Sequence, residues 1–213
     1  MDFDLSEEQR LLKESLDRLI GDRYAFEQRK GYAQSPQGWS RELWAQFAEL
    51  GLLGLPFEEP HGGSAGGPVE TMIAMEAFGR ALALEPYLAT VVLGGGFLRH
   101  GGSAEQCADL IPQIADGSLT VAFAHTERQS RYDLYDIETR AVRDGAGWML
   151  DGEKGVVVHG DTADKLVVTA RVGGGRRDRD GVAAFIVDGK TAGVSRLGYP
   201  TQDGLRAAEI TLA

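Results

Sequence analysis

Phe123-Ala124-His125-Thr126-Glu127-Arg128 lies at the seam between two unlike halves of a 213-residue chain. Residues 1–117 contain 9 Val, Ile and Thr against 16 Leu. Residues 118–213 reverse the balance, with 22 against 7. Leucine suits helices, whereas β-branched side chains suit a pleated surface. The chain is therefore expected to be α+β. An N-terminal all-α helical bundle would fill 1–117 and an antiparallel β-barrel 118–213, joined near Gly117-Ser118.

Outward from the seam, the helical half carries start and stop signals. Ser6-Glu7-Glu8-Gln9 has the form of a capping box, followed by Leu12, Leu16, Leu19 and Ile20 at helical spacing. Ser40 caps a second predicted helix with Leu43, Phe47 and Leu50 on its apolar face and Trp44 beside it; Gly51 and Pro56 end it. The glycine-dense run 61–67 predicts a loop. Pro68 suits the first turn of a third helix, with Val69, Met72, Ile73 and Phe78 apolar. A fourth helix is expected from Pro86 towards His100 and a fifth from Ser103 to Ala115.

Beyond the seam, short strands are expected over 119–124, 138–143, 148–151, 155–158, 166–171, 182–188, 194–197 and 206–212. Turn residues separate them, among them Asp144-Gly145, Asp151-Gly152 and Asp180-Gly181. Arg176-Arg177-Asp178-Arg179-Asp180 has mixed sign and predicts a solvated hairpin tip. A strand running to the last residue suggests a fragment of a longer protein.

Composition excludes several classes. Hydrophobic residues make up 43% and charged residues 25%, ordinary for a globular chain. The net charge of −10 opposes binding to nucleic acid or an anionic membrane. No apolar run nears the roughly 20 residues that span a bilayer. The acidic start Met1-Asp2-Phe3-Asp4 and the single cysteine, Cys107, suggest a reduced, cytoplasmic setting. Cys107 is expected to be a small buried hydrophobe. No phosphate-loop motif is present, and the four histidines lack the spacing of metal ligands.

The seam and five other stretches together resemble the acyl-CoA dehydrogenase family. The opening Phe3-Asp4-Leu5-Ser6-Glu7-Glu8-Gln9 resembles that family's usual start. Leu50-Gly51-Leu52-Leu53-Gly54-Leu55 with Gly62-Gly63 resembles its first helix–loop unit. Gly101-Gly102-Ser103-Ala104-Glu105-Gln106 and 110–117 resemble the stretch that precedes its sheet domain. Asp151-Gly152-Glu153-Lys154 resembles its asparagine-glycine-glutamate-lysine turn. The subgroup most resembled is the small subunit of the two-component enzymes, typified by pimeloyl-CoA dehydrogenase.

The resemblance implies helical, β and C-terminal helical domains, the last absent from 1–213, with FAD between the second and third. The family's flavin segment, T-E-P-x-x-G-S-D, aligns with Thr126 to Asp133. Thr126, Glu127 and Asp133 match; Arg128 replaces proline, Arg131 glycine and Tyr132 serine. The second segment, K-x-W-I-[TS], aligns with Lys154 to Val158. There Val156 replaces the tryptophan beside the flavin ring, and Val158 the hydroxyl residue at its polar edge. The implied FAD contacts are Phe123, His125, Thr126, Arg131, Tyr132, Val156 and Val158, with Tyr132 also implied at the substrate. Arg128 and Arg131 either face solvent or supply charge to the FAD pyrophosphate.

No catalytic residue and no metal site is assigned, because the family's catalytic glutamate belongs to the C-terminal domain. The implied reaction is desaturation of an acyl-CoA to the trans-2-enoyl-CoA, with a dicarboxylyl-CoA such as pimeloyl-CoA among the substrates. Electron-transfer flavoprotein would be the acceptor and a homo- or hetero-oligomer the assembly. The alternative is a non-catalytic companion subunit that carries little or no flavin.

Overall fold

A computed structural model describes residues 4–213. Six α-helices come first: α1 (Glu7–Arg23), α2 (Phe26–Ala33), α3 (Arg41–Glu49), α4 (Pro68–Ala81), α5 (Gly95–Gly101) and α6 (Ala104–Ala115). Seven strands follow: β1 (Val121–Ala124), β2 (Arg140–Asp144), β3 (Gly147–Val158), β4 (Lys165–Arg171), β5 (Val182–Asp188), β6 (Val194–Pro200) and β7 (Arg206–Leu212).

The caps act as the sequence requires. The Ser6, Ser40 and Ser103 hydroxyls each accept an N–H in the first turn of α1, α3 and α6. Pro68 opens α4. Four expectations are corrected in this half. Helix α2 has no buried residue and so no apolar stripe to betray it. The helix expected from Pro86 begins as a π-helical segment, Leu88–Gly94, before α5. Leu50 lies past the end of α3 and is exposed, because the chain turns at Gly51. Val69 and Met72 are exposed, leaving Ile73, Ala74, Ala77 and Phe78 as the buried face of α4.

The π-helical segment docks the helical half on the sheet. The Thr90 hydroxyl accepts the Val121 N–H and donates to the Val121 carbonyl, each at 3.1 Å. Gly94 permits this approach, since a Cβ there would lie 2.6 Å from Val121 Cγ1. The helical core, with Leu16, Trp44, Phe47, Phe78 and Tyr87, therefore runs into Val121 of β1 and Val167 of β4. A second core, including Ala124, Val157, Leu166, Val168 and Ile210, lies within the sheet half.

The sheet runs β1-β4-β2-β3-β7-β6, with β5 also paired to β4. Most pairings are antiparallel, as expected, but β1–β4 and the single β2–β4 contact are parallel. Parallel pairing needs a long return connection, and 125–164, which includes β2 and β3, provides it for β1 and β4. The two strands expected at 148–151 and 155–158 form one strand, β3. Gly152 does not turn; it continues the strand at φ 149°, against Thr139.

Candidate functional site

Lys154 and Val157 are both buried, although they are three residues apart on β3. On an unbroken strand their side chains would face opposite sides. A β-bulge reconciles them: Lys154 pairs with Ile210 and Val157 with Ala208, so Gly155 and Val156 together oppose Glu209. Val156 is left 57% exposed with φ 51°, an uncommon conformation for a β-branched residue. Such conformations cluster at functional sites. Its N–H points to Glu209 Oε1 at 3.4 Å, and the same oxygen accepts the Tyr199 hydroxyl at 2.9 Å.

The bulge meets the segment that leaves β1. The Gly155 N–H donates to the Thr126 carbonyl at 2.8 Å. Beneath this contact the Lys154 ammonium donates to Glu127 Oε1 at 2.6 Å and to the His125 carbonyl at 3.3 Å. Lys154 and Glu127 are almost completely buried. Glu127 also accepts the Thr139 hydroxyl at 2.6 Å, the Thr139 N–H at 3.1 Å, the Glu138 N–H at 2.7 Å and the Gln129 side-chain amide at 2.6 Å. One carboxylate thus ties together the β1 exit, the approach to β2 and the middle of β3.

Electrostatics follow from this wiring. Burial pushes the Glu127 carboxyl up, but the bonds from Lys154, Thr139 and the Glu138 amide prevail and lower its pKa to about 2. Burial pulls the Lys154 ammonium below the ordinary lysine value, and Glu127 partly offsets it. His125 is likewise depressed, by burial first and then by the Lys154 charge.

Of the residues singled out in the sequence, Phe123, His125, Thr126 and Val156 lie at this seam. Phe123 and His125 share one face of the β1 segment, their rings stacked 5.3 Å apart, and Phe97 of α5 packs on Phe123 at 4.4 Å. Thr126 is exposed directly after them. Val158 is half-buried and, with its buried neighbour His159, lines a cavity of about 190 Å³ between the halves, closed by Phe47, Phe78, Tyr87 and Leu88. Burial lowers the His159 pKa to about 4. Arg131 and Tyr132 stand further out, on the loop between β1 and β2; Tyr132 is 99% exposed. Arg131, at the family's glycine position, has φ 47°, a conformation natural to glycine. Among the described residues, neither Arg128 nor Arg131 has an ion-pair or hydrogen-bond partner. Glu127 and Thr126 entered the sequence reading through the flavin motif. The Glu127–Lys154 pairing did not, and Thr169 carried no signal.

The other charged run is the exposed tip of the β4–β5 hairpin, as expected. Arg176 and Arg177 also both pair with Asp136, which is 1% exposed. The buried Arg171 guanidinium donates to the carbonyls of Tyr135, Arg176, Asp178 and Asp180 at 2.7–2.8 Å. The β4–β5 connection is therefore clamped to the segment before β2. Cys107 lies half-buried in α6, its thiol 3.2 Å from the Leu98 carbonyl.

Comparison with known proteins agrees with this arrangement. Residues 6–118 match the acyl-CoA dehydrogenase N-terminal domain and residues 122–212 the middle domain. The probable acyl-CoA dehydrogenase YngJ of Bacillus subtilis is 28% identical over 217 residues, covering 100% of this chain and 57% of that protein. The ChsE4-ChsE5 complex from Mycobacterium tuberculosis has a similar chain, with TM-score 0.86 and 26% identity over 100% of this chain and 55% of that one. An acyl-CoA dehydrogenase complexed with FAD from Bacillus anthracis gives TM-score 0.86 and 26% identity over 99% of this chain and 36% of that one. The chain thus spans little more than half the length of these relatives, or less.

Proposed function

Because the chain belongs to the acyl-CoA dehydrogenase family, we propose that it supplies the helical domain and the flavin-facing sheet of an FAD-dependent enzyme that desaturates an acyl-CoA to the trans-2-enoyl-CoA. The observation that carries this reading is the seam itself. A strained, exposed bulge at Val156 and the exposed Thr126 adjoin a buried, fully hydrogen-bonded charge pair, and two partnerless arginines follow it on the β1–β2 loop. FAD suits that donor set, with a planar ring edged by polar atoms and a pyrophosphate for guanidinium groups. FAD, when bound, supplies the acceptor of the two electrons.

The residues divide the work. Thr126 and the bulge hold the ring edge, Phe123 and Val158 give it an apolar wall, and Arg131, with Arg128, takes the pyrophosphate. Tyr132 stands where the thioester substrate approaches. Among the described residues none is assigned as the base that removes the α-proton. The proposed acceptor is electron-transfer flavoprotein. The proposed assembly is an oligomer with a second acyl-CoA dehydrogenase subunit, like the heteromeric small subunit of pimeloyl-CoA dehydrogenase. Dicarboxylyl-CoA esters are candidate substrates.

A second reading, a companion subunit with little flavin of its own, is favoured by one observation. Valine at 158 cannot donate the hydrogen bond that a hydroxyl residue would supply. Residues 1–213 alone should be inactive, with weak FAD binding at most, so absorbance of the protein at the full length of its relatives separates the two. A yellow protein whose colour bleaches on adding an acyl-CoA supports the first reading; a colourless protein that needs a yellow sister subunit supports the second. A panel running from straight-chain to dicarboxylyl-CoA esters then fixes the substrate class.

A further inference from the structure

A buried relay runs from the Glu127–Lys154 pair to His125, on Thr169. The Lys154 ammonium is 3.4 Å from Thr169 Oγ1, and that oxygen is 3.0 Å from His125 Nδ1. An ammonium only donates, so Thr169 accepts from Lys154. Its own proton is then free for one acceptor, and Thr169 is only 6% exposed. His125 Nδ1 is the acceptor within reach. The opposite assignment would place two donors on one hydroxyl oxygen and leave the buried threonine proton without a partner, which is costly. The bond at one imidazole nitrogen sets the protonation of the other. His125 is therefore the neutral Nε2–H tautomer. Its ring is half-buried, and among the described residues Nε2 has no hydrogen-bond partner.

We infer that Lys154 and Thr169 are positioning residues that lock His125 as an Nε2–H donor, and that this donor contacts the polar edge of the flavin in place of the hydroxyl missing at Val158. The inference rests on the flavin reading above. Its geometry is local. His125 immediately precedes Thr126, whose carbonyl is bonded to the bulge of the strand that carries Val158. The same lysine that holds the His125 carbonyl also biases its ring, so backbone and side chain are set by one charge.

Two measurements test it. Imidazole nitrogen NMR of the protein without flavin should show Nδ1 unprotonated and Nε2 protonated at neutral pH. Thr169→Val should mix the two tautomers, while His125→Gln keeps a donor of similar reach. A protonated Nδ1 in the unsubstituted protein overturns the relay. In the flavin-loaded assembly, His125→Phe should weaken FAD binding roughly five- to tenfold and shift the visible flavin bands, and His125→Gln should restore most of both. Unchanged affinity and bands in His125→Phe overturn the donor role alone. An unsubstituted protein with no affinity for FAD, alone or with a sister subunit, overturns the flavin reading and the donor role with it.

Discussion

Two buried glutamates, one in each half, have opposite protonation behaviour. Glu85, after α4, accepts the Tyr24 hydroxyl and the Ser40 N–H, and burial raises its carboxyl above the usual range. Glu127 is buried to a similar degree, yet its pKa falls to about 2. The difference is the cation, first among a larger set of donors that includes Thr139, the Glu138 amide and Gln129. No Lys or Arg bonds to Glu85 among the described residues, whereas Lys154 sits 2.6 Å from Glu127. The helical half uses a carboxyl to join α3 to the chain after α4. The sheet half maintains an ionised pair at the point where the candidate site lies.

The largest expected effect breaks the pair. Lys154→Met strands a buried carboxylate and should cost about 3–5 kcal/mol in denaturant unfolding. Lys154→Met combined with Glu127→Gln should recover most of that, since a neutral pair needs no countercharge. If the single variant lost less than about 1 kcal/mol, on the scale of an exposed pair, water would be reaching the site.

Acid should act next. Glu127 has a folded pKa below its unfolded value of about 4.3. Its contribution is thus present above the unfolded pKa and is lost as pH falls from there through about 2. The loss is worth about 3 kcal/mol on that shift. Stability measured against pH should fall in this window for the unsubstituted protein and more shallowly for the double variant. Glu85 has the opposite sign. Its folded pKa is raised, so its contribution is full below the unfolded pKa and declines as pH rises through the folded value. Glu85→Gln should therefore gain relative to the unsubstituted protein as pH rises towards neutrality.

A smaller effect concerns the partnerless arginines. Arg131→Ala should weaken FAD binding by about ten- to a hundredfold, the worth of a charge-assisted bond. Unchanged FAD affinity in the Arg128→Ala, Arg131→Ala double variant would make both of them solvent-facing residues. The smallest expected change is Glu85→Gln at neutral pH, a shift of no more than about 1 kcal/mol, the scale of one hydrogen bond.

Legibility followed the same divide. Ser6, Ser40, Ser103 and Pro68 announce their helices because capping is a local bond between neighbours. Helix α2 was silent because its sequence, Phe26 to Ala33, buries nothing. The segment 88–94 reads as helix, but π winding follows from docking Thr90 on Val121, a contact 31 residues distant. Asp151-Gly152 has the composition of a turn, yet pairing of Asp151 with Arg140 and of Gly152 with Leu212 carries it straight through. At the site, the motif marked Thr126, Glu127 and Lys154, while the bond between Glu127 and Lys154 spans 27 positions and leaves no spacing signal. Thr169 was invisible for the same reason: it reads as an ordinary strand residue.

The contrast between the two glutamates is tested most directly by FAD affinity, measured by calorimetry on the assembly that carries the flavin. Lys154→Met with Glu127→Gln is compared with Glu85→Gln, each checked for retained fold by its unfolding transition. The account predicts about five- to tenfold weaker binding for the sheet-half variant, the scale of the one His125 hydrogen bond that Lys154 positions, and no change for Glu85→Gln. Equal affinity in the two variants would contradict it, reducing the Glu127–Lys154 pair to a support of the fold like Glu85.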